Sequence, residues 1–189
     1  MAIDSYMIFT TYDGTVVKSE SQVDFGKSST DVLGKPFVSQ AGNVFEVDTY
    51  GFDIAQTINM SSQSSGAGAG KVAFNPFTIS RKVDLASPMF FQMACSGKTF
   101  KRVSLGLRKS SGGEAAGTFF LRFDFKLVAV KSMKWSHGDE SPTEDMEFEY
   151  GGLIVHYAQQ KADGSFTQIT PGGWNKIKNI QDISETDIT

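Results

Sequence analysis

Twelve consecutive residues, 119–130, alternate between two kinds of side chain. Phe119, Leu121, Phe123, Phe125, Leu127 and Ala129 hold one parity, and Arg122, Asp124 and Lys126 stand between them. A period of two belongs to a pleated strand with one buried face and one wet face. The run is about twice the usual strand of roughly 5–6 residues, which suits a barrel or a strongly curved sheet, where staggered pairing needs length. Residues 100–108 repeat the pattern, with Val103, Leu105 and Leu107 opposed by Arg102, Ser104 and Arg108. Residues 146–157 alternate too, but the phase slips. Met146, Phe148 and Tyr150 are even, Leu153, Val155 and Tyr157 are odd, and Gly151-Gly152 sits at the slip. That pattern predicts a β-bulge, with Glu147, Glu149 and His156 on the wet side. Pro76 cannot donate to a ladder and predicts a bulge or an edge within 72–80.

One short helix interrupts the strands. Ser87 can cap it, Pro88 fits its first turn, and Gly97 can take the left-handed conformation that ends it. Met89 and Met93, and likewise Phe91 and Cys95, are four apart and share a face. A lone Cys on an apolar helix face reads as core packing, so Cys95 is expected in the core beside Phe91. Residues 43–58 read as one long bent strand, and 18–40 as an extended loop or irregular hairpin. Sixteen Phe against five Tyr and two Trp suit a sheet with a well-filled face. The fold class is therefore all-β (mainly β): a β-barrel of long antiparallel strands with one short α-helix packed on it or plugging it. Residues 1–174 form a single domain, and 175–189 a polar tail whose last residues, 184–189, are expected to be mobile.

Composition narrows the function. Charged residues at 21% and a net charge of −3 argue against a nucleic-acid partner. No apolar run approaches the ~20 residues of a membrane span, so no membrane insertion is expected. Met1-Ala2-Ile3-Asp4-Ser5 carries no basic n-region, which predicts no signal peptide. The single Cys cannot form an internal disulfide, in keeping with folding in the cytosol. The loop Ser61, Ser62, Gln63, Ser64, Ser65, Gly66, Ala67, Gly68, Ala69, Gly70 before Lys71 must be weighed as a phosphate cradle. A P-loop needs Gly where Ser65 stands, a hydroxyl where Val72 stands, and a following helix where a strand is predicted. The loop reads instead as flexible chain.

Catalytic groups are sparse. His137 lies in a turn-like stretch, His156 in a strand, and neither has a metal-binding spacing. The acidic group Glu144, Asp145, Glu147 and Glu149 lacks EF-hand spacing. No catalytic residue, cofactor or metal is expected. The basic group Lys98, Lys101, Arg102, Arg108 and Lys109 reads first as a solvated face and second as a subunit contact. Trp135 and Trp174 read as local anchors.

The order of these parts resembles the haemolysin-coregulated protein (Hcp) family. The resemblance rests on the Gly-rich entry into Lys71-Val72, the Ser87-Pro88 helix start, Ala94-Cys95-Ser96-Gly97-Lys98, and Leu127-Val128-Ala129-Val130-Lys131-Ser132. Glu147-Phe148-Glu149-Tyr150, Tyr157-Ala158-Gln159-Gln160-Lys161-Ala162-Asp163-Gly164 and Gly173-Trp174-Asn175 extend it. The resemblance implies a non-enzymatic tube component of a bacterial type VI secretion system. Its subunits would form hexameric rings that stack, with a spike protein, a contractile sheath and small effector proteins as partners. It would assemble in the cytoplasm and then leave with the machine. Residues 61–70 would then touch the adjacent ring, and Lys98, Lys101, Arg102, Arg108, Glu147 and Glu149 are candidate subunit-interface charges. Against the family pattern two regions are long, 18–43 and the tail beyond Trp174, and either would decorate the outer wall or alter stacking. The alternatives are a monomeric β-sandwich binding module for carbohydrate or a host surface, and the tube protein of a contractile phage-like particle.

Overall fold

The alternating runs become three long neighbouring strands, and everything else wraps around them. In the computed structural model, residues 3–25, 33–59, 68–109, 117–137, 141–161, 167 and 169–185 are described. The strands are β1 (Ile3–Thr11), β2 (Phe45–Glu46), β3 (Thr49–Gly51), β4 (Ile54–Asn59), β5 (Gly68–Phe74), β6 (Phe77–Lys82), β7 (Thr99–Lys109), β8 (Thr118–Ser136), β9 (Thr143–Tyr157), β10 (Thr170–Asn175) and β11 (Ile180–Gln181). The helices are α1 (Lys35–Val38) and α2 (Ser87–Ser96). The main sheet runs β11-β10-β9-β8-β7-β1-β2, all antiparallel. β9 is long enough to take two neighbours beyond β8: β10 along its second half and β6 along its first. β3 pairs with β6 on the far side.

The sheet curls but does not close, which corrects the expected barrel. β2 gives its pairing to β1 and β3 gives its pairing to β6. Between them the Val47 amide donates to Ser5 and the Asp48 amide to Ser80. The chain thus changes partner at Val47-Asp48, and the ladder breaks there. For the same reason 43–58 is three strands rather than one. Pro76 likewise marks a break between sheets: β5 belongs to a separate hairpin with β4, and β6 to the main sheet.

Phe residues fill the space the curl encloses. The Phe77 ring stacks between Phe125 at 4.1 Å and Phe148 at 4.7 Å. Phe90 on α2 meets Phe9 edge-on at 4.8 Å. Each such ring contributes about 1.5–3 kcal/mol through burial alone. α2 enters this core with Phe90 and Met93, while Phe91 and Cys95 are exposed. Cys95 is therefore not the packed core thiol that its spacing suggested. The helix begins one residue early, with Ala86 as its N-cap and Ser87 already in its first turn; Gly97 ends it at φ +65°. A buried ion pair pins its start. Arg81 reaches Asp84 at 2.9 Å and Glu144 at 2.5 Å, under the rings of Phe45 and Phe90. Glu144 also accepts from the Trp135 indole at 2.9 Å, so it belongs to the core and not to a solvated acidic face.

The phase slip predicted at Gly151-Gly152 is not the expected bulge, since the pairing with β8 runs through Gly152 and Tyr150 without a register shift; instead the slip crosses three strands. Toward one end, Val103, Phe125 and Leu153 share a core-facing row. Toward the other end the row is Phe100, Val128 and Tyr150. Leu127 lies between them with φ +49°, and its Cβ would stand 3.3 Å from a Cβ built on Gly151. The left-handed residue turns the pleat over, so Val128 and Val130 enter the core in place of Leu127 and Ala129. The alternation of 119–130 is thus strict only from Leu121 to Phe125, because the register shift opposite Leu107-Arg108 also puts Phe119 on the outer face.

Candidate functional site

The outer face of β7, β8 and β9 carries Arg122, Asp124, Lys126, Ser104 and His156, which the period-two pattern assigns to water. All five are buried. Burying charges is tolerable only when they are paired and hydrogen-bonded, and here they are. Arg122 Nε donates to Asp124 at 2.9 Å, Ser104 Oγ donates to the other Asp124 oxygen at 2.5 Å, and His156 Nε2 lies 3.0 Å from Asp124. Burial pushes the Asp124 carboxyl up, but the contacts with His156, Arg122 and Ser104 outweigh it and hold it below its ordinary value.

Two segments cover this face. The first, within residues 16–44, is apolar. Phe25, Leu33, Phe37 and Val44 bury themselves against Tyr6, Ile8 and Phe119. Phe37 stacks flat on Phe119 at 4.8 Å. Gly106 lies beneath both rings, where a Cβ would come within 2.6 Å of Phe37 and 2.9 Å of Phe119. In the region expected to be a loop or hairpin, residues 18–25 have no regular structure, residues 26–32 lie outside the described residues, and 33–44 form a lid with a short helix, α1, that carries Phe37.

The second cover is the tail. β11 pairs with β10, and the Asp182 amide donates to the Gly173 carbonyl at 3.1 Å. Only glycine fits at Gly173, since a Cβ there would stand 2.2 Å from the Asp182 oxygen. Beyond this point the chain crosses the charged face. Lys126 donates to the Ser184 carbonyl at 2.5 Å and lies 3.9 Å from Asp182. Glu185 takes Arg122 at 3.4 Å and Arg102 at 3.3 Å. Its backbone carbonyl also accepts from Arg102. Ser184 and Glu185, expected to be mobile, are thus held; residues 186–189 lie outside the described residues.

The chemistry of this cluster is ionic. Ser104, His156 and Asp124 have the composition of a catalytic triad but the wrong order. In a triad the imidazole stands between hydroxyl and carboxylate, whereas here the carboxylate stands between the other two. Asp124, His156 and Glu185 also come within metal-liganding distance of one another. The Arg122 guanidinium already occupies the cation's place, bonded to both carboxylates.

The predicted interface charges do not gather into one patch. Arg102 and Arg108 lie on the covered face; Arg108 donates to the Gly117 carbonyl at 3.1 Å and sits over the Phe25 ring. Lys101 follows in β7, and Lys98 is exposed after α2. Glu147 and Glu149 lie past the Leu127 irregularity. Glu147 pairs with Lys131 at 3.1 Å, and Glu149 with Lys176 at 3.0 Å. Of the predicted stacking loop, Gly68, Ala69 and Gly70 are part of β5, and residues 61–67 lie outside the described residues. The β4–β5 hairpin leans toward β9 and β10 and leaves a cleft of about 680 Å³ lined by Ile54, Phe74, Val155 and Trp174. Trp174 anchors this wall, and its buried Nε1 has no partner among the described residues. Trp135 is half exposed and packs on Phe91 at 5.8 Å.

The site thus sits on a curled antiparallel sheet with one helix in its core and a separate two-stranded hairpin beside it. The family model described as "Type VI secretion system effector, Hcp" matches residues 19–157, and this chain belongs to that family. It is 27% identical over 112 residues to Protein hcp1 of Pseudomonas aeruginosa, an alignment that spans 59% of this chain and 69% of the relative. Its fold is similar to a solved structure titled "Structure of a type six secretion system protein", with a TM-score of 0.76 and 22% identity over 96% of this chain and all of that one. It is also similar to the crystal structure of Hcp1 from Salmonella typhimurium, with a TM-score of 0.67 and 22% identity over the same shares. The tail that fills the charged face lies outside the residues matched by the family model.

Proposed function

We propose that this chain is a structural subunit of a type VI secretion tube: copies close into six-membered rings, the rings stack, and the tube carries small effectors and is itself secreted. The observation that supports this most directly is the family match over residues 19–157, joined to a fold shared with type VI proteins along 96% of the chain. A ring requires one face of a subunit to meet a different face of the next. Sheet edges suit that purpose, because they present unpaired backbone groups. β2 and β11 stand at the two ends of the main sheet path. The subunit performs no catalysis in this reading; its partners are further copies, a spike protein and a contractile sheath. It folds in the cytoplasm and leaves through the machine.

Residues 61–67, between the paired ends Asn59 and Gly68, are proposed to touch the adjacent ring. Light scattering on the eluted protein tests the ring: a mass of six subunits is expected, and a monomer at micromolar concentration would contradict it. Deleting 62–67 tests the loop while sparing the Asn59–Gly68 pair. Rings should persist with little loss of folding stability, since shortening a loop changes closure entropy by only about 0.6 kcal/mol per halving. Tube formation should weaken, whereas tubes and secretion at the normal level would remove the loop from the contact between rings.

A further inference from the structure

We infer that the outer face of β7, β8 and β9 is a binding site for an acidic peptide segment, with residues 182–185 as its resident and displaceable ligand. The inference stands on the single subunit and is independent of the ring.

Charge makes the first case. The face presents three cations, Arg102, Arg122 and Lys126, and one carboxylate, Asp124. The tail brings two carboxylates against these cations, Asp182 beside Lys126 and Glu185 beside Arg102 and Arg122. These are spaced three apart, with the Ser184 carbonyl taken by Lys126 between them. The ligand's pattern is thus acid, carbonyl, acid.

The receptor is also built without the tail. Asp124 fixes Arg122 from below, Ser104 fixes Asp124, and Arg122 reaches the Leu33 carbonyl of the apolar lid at 3.5 Å. The floor is therefore preorganised before any peptide arrives, which lowers the ordering cost of binding. The resident, by contrast, has no apolar anchor in the face. Ile183 is exposed, and the Glu185 side chain is 57% exposed. The pairs of this open Glu185 are screened by salt and contribute little individually, although the Lys126 beneath Ser184 is buried. A segment with the same spacing of acids, offered by another chain, meets the same three cations, and displaces the resident once its concentration exceeds the effective concentration set by the tether.

The test uses the full chain carrying D182N and E185Q, which empties residues 182–185 of charge, and a labelled, C-terminally amidated peptide of residues 180–185, whose two acids are Asp182 and Glu185. Saturable binding is expected, lost in about 1 M salt, where the screening length falls to about 3 Å. Lys126→Gln should weaken it about fivefold, the equivalent of one screened ion pair. A peptide with Asn and Gln at the two acidic positions should not bind, and the unmodified chain should bind the acidic peptide more weakly than the variant does. Equal binding by the unmodified chain and the variant, or no binding by a variant that melts normally, overturns the inference. If the variant does not fold, the unmodified chain mixed with excess free peptide answers instead. Amide exchange in 182–185 is expected to accelerate as the resident is displaced, and unchanged exchange overturns the inference.

Discussion

Residues 33–44 press Phe37 flat onto Phe119, whereas residues 182–185 reach the same sheet through charges, a carbonyl and the backbone hydrogen bond from Asp182 to Gly173, with no apolar side chain. The two segments cover neighbouring parts of one face and touch the same residue, Arg122, the first through the Leu33 carbonyl and the second through Glu185. The apolar lid is held by area removed from water, a term that salt hardly weakens. The tail is held by ion pairs at a rim, a term that salt removes. The comparison teaches that the lid belongs to the packed unit, while the inferred displacement of the tail would remove no apolar packing from it.

The largest expected effect is on the lid. Phe37→Ala should cost about 3–5 kcal/mol in denaturant unfolding, because the ring is fully buried and its stacking partner Phe119 would face a cavity. A loss under about 1 kcal/mol would mean that the lid is peripheral after all. The floor shared by both covers comes next. Asp124→Ala should cost about 3 kcal/mol, since it removes the buried carboxylate that Arg122, Ser104 and His156 share. Acid should do the same by titration. The Asp124 carboxyl is held below its ordinary value of 3.8 in the folded chain. Its contribution is therefore fully present above that value and is lost as pH falls below 3.8 through the folded value. Unfolding curves from pH 5 down to pH 2 should show this slope, and Asp124→Ala should flatten it. The smallest effect belongs to the tail. Glu185→Gln should change stability by less than about 1 kcal/mol, and that change should vanish in high salt. A loss as large as that of Phe37→Ala would erase the distinction between the two covers.

The sequence makes one face of this architecture readable and hides the other. Phe123, Phe125, Val103 and Leu105 announce a core row through their period. Arg122, Asp124 and Lys126 announce only that something other than that core faces them. A strand pattern cannot say whether a polar face meets water or a distant segment of the same chain. The one local clue is the sign sequence, plus, minus, plus at spacing two, which lets the face neutralise itself. Leu127 carries no signal for its positive φ, because leucine rarely adopts it. α2 is ambiguous for a different reason. Met89, Phe90, Phe91 and Met93 are all apolar, so spacing by four selects Phe91 with Cys95 as readily as spacing by three selects Phe90 with Met93. The core chose the second pair, which leaves Cys95 exposed. Its thiol should accordingly react with a thiol reagent in the native protein nearly as fast as in denaturant, and slow native labelling would return it to the core. The Gly-rich stretch is legible in part: its end continues as strand β5, as a chain entering Val72 should.

Amide exchange followed peptide by peptide, in low and in high salt, tests the central comparison most directly. In the lid, peptides within 33–44 should exchange slowly and equally in both. In the tail, peptides spanning 180–185 should exchange slowly only in low salt, where the Asp182 amide stays bonded to Gly173 and the ion pairs hold the chain down. Acceleration of the tail alone is the result this account predicts. Protection of both segments to the same extent at every salt concentration would contradict it.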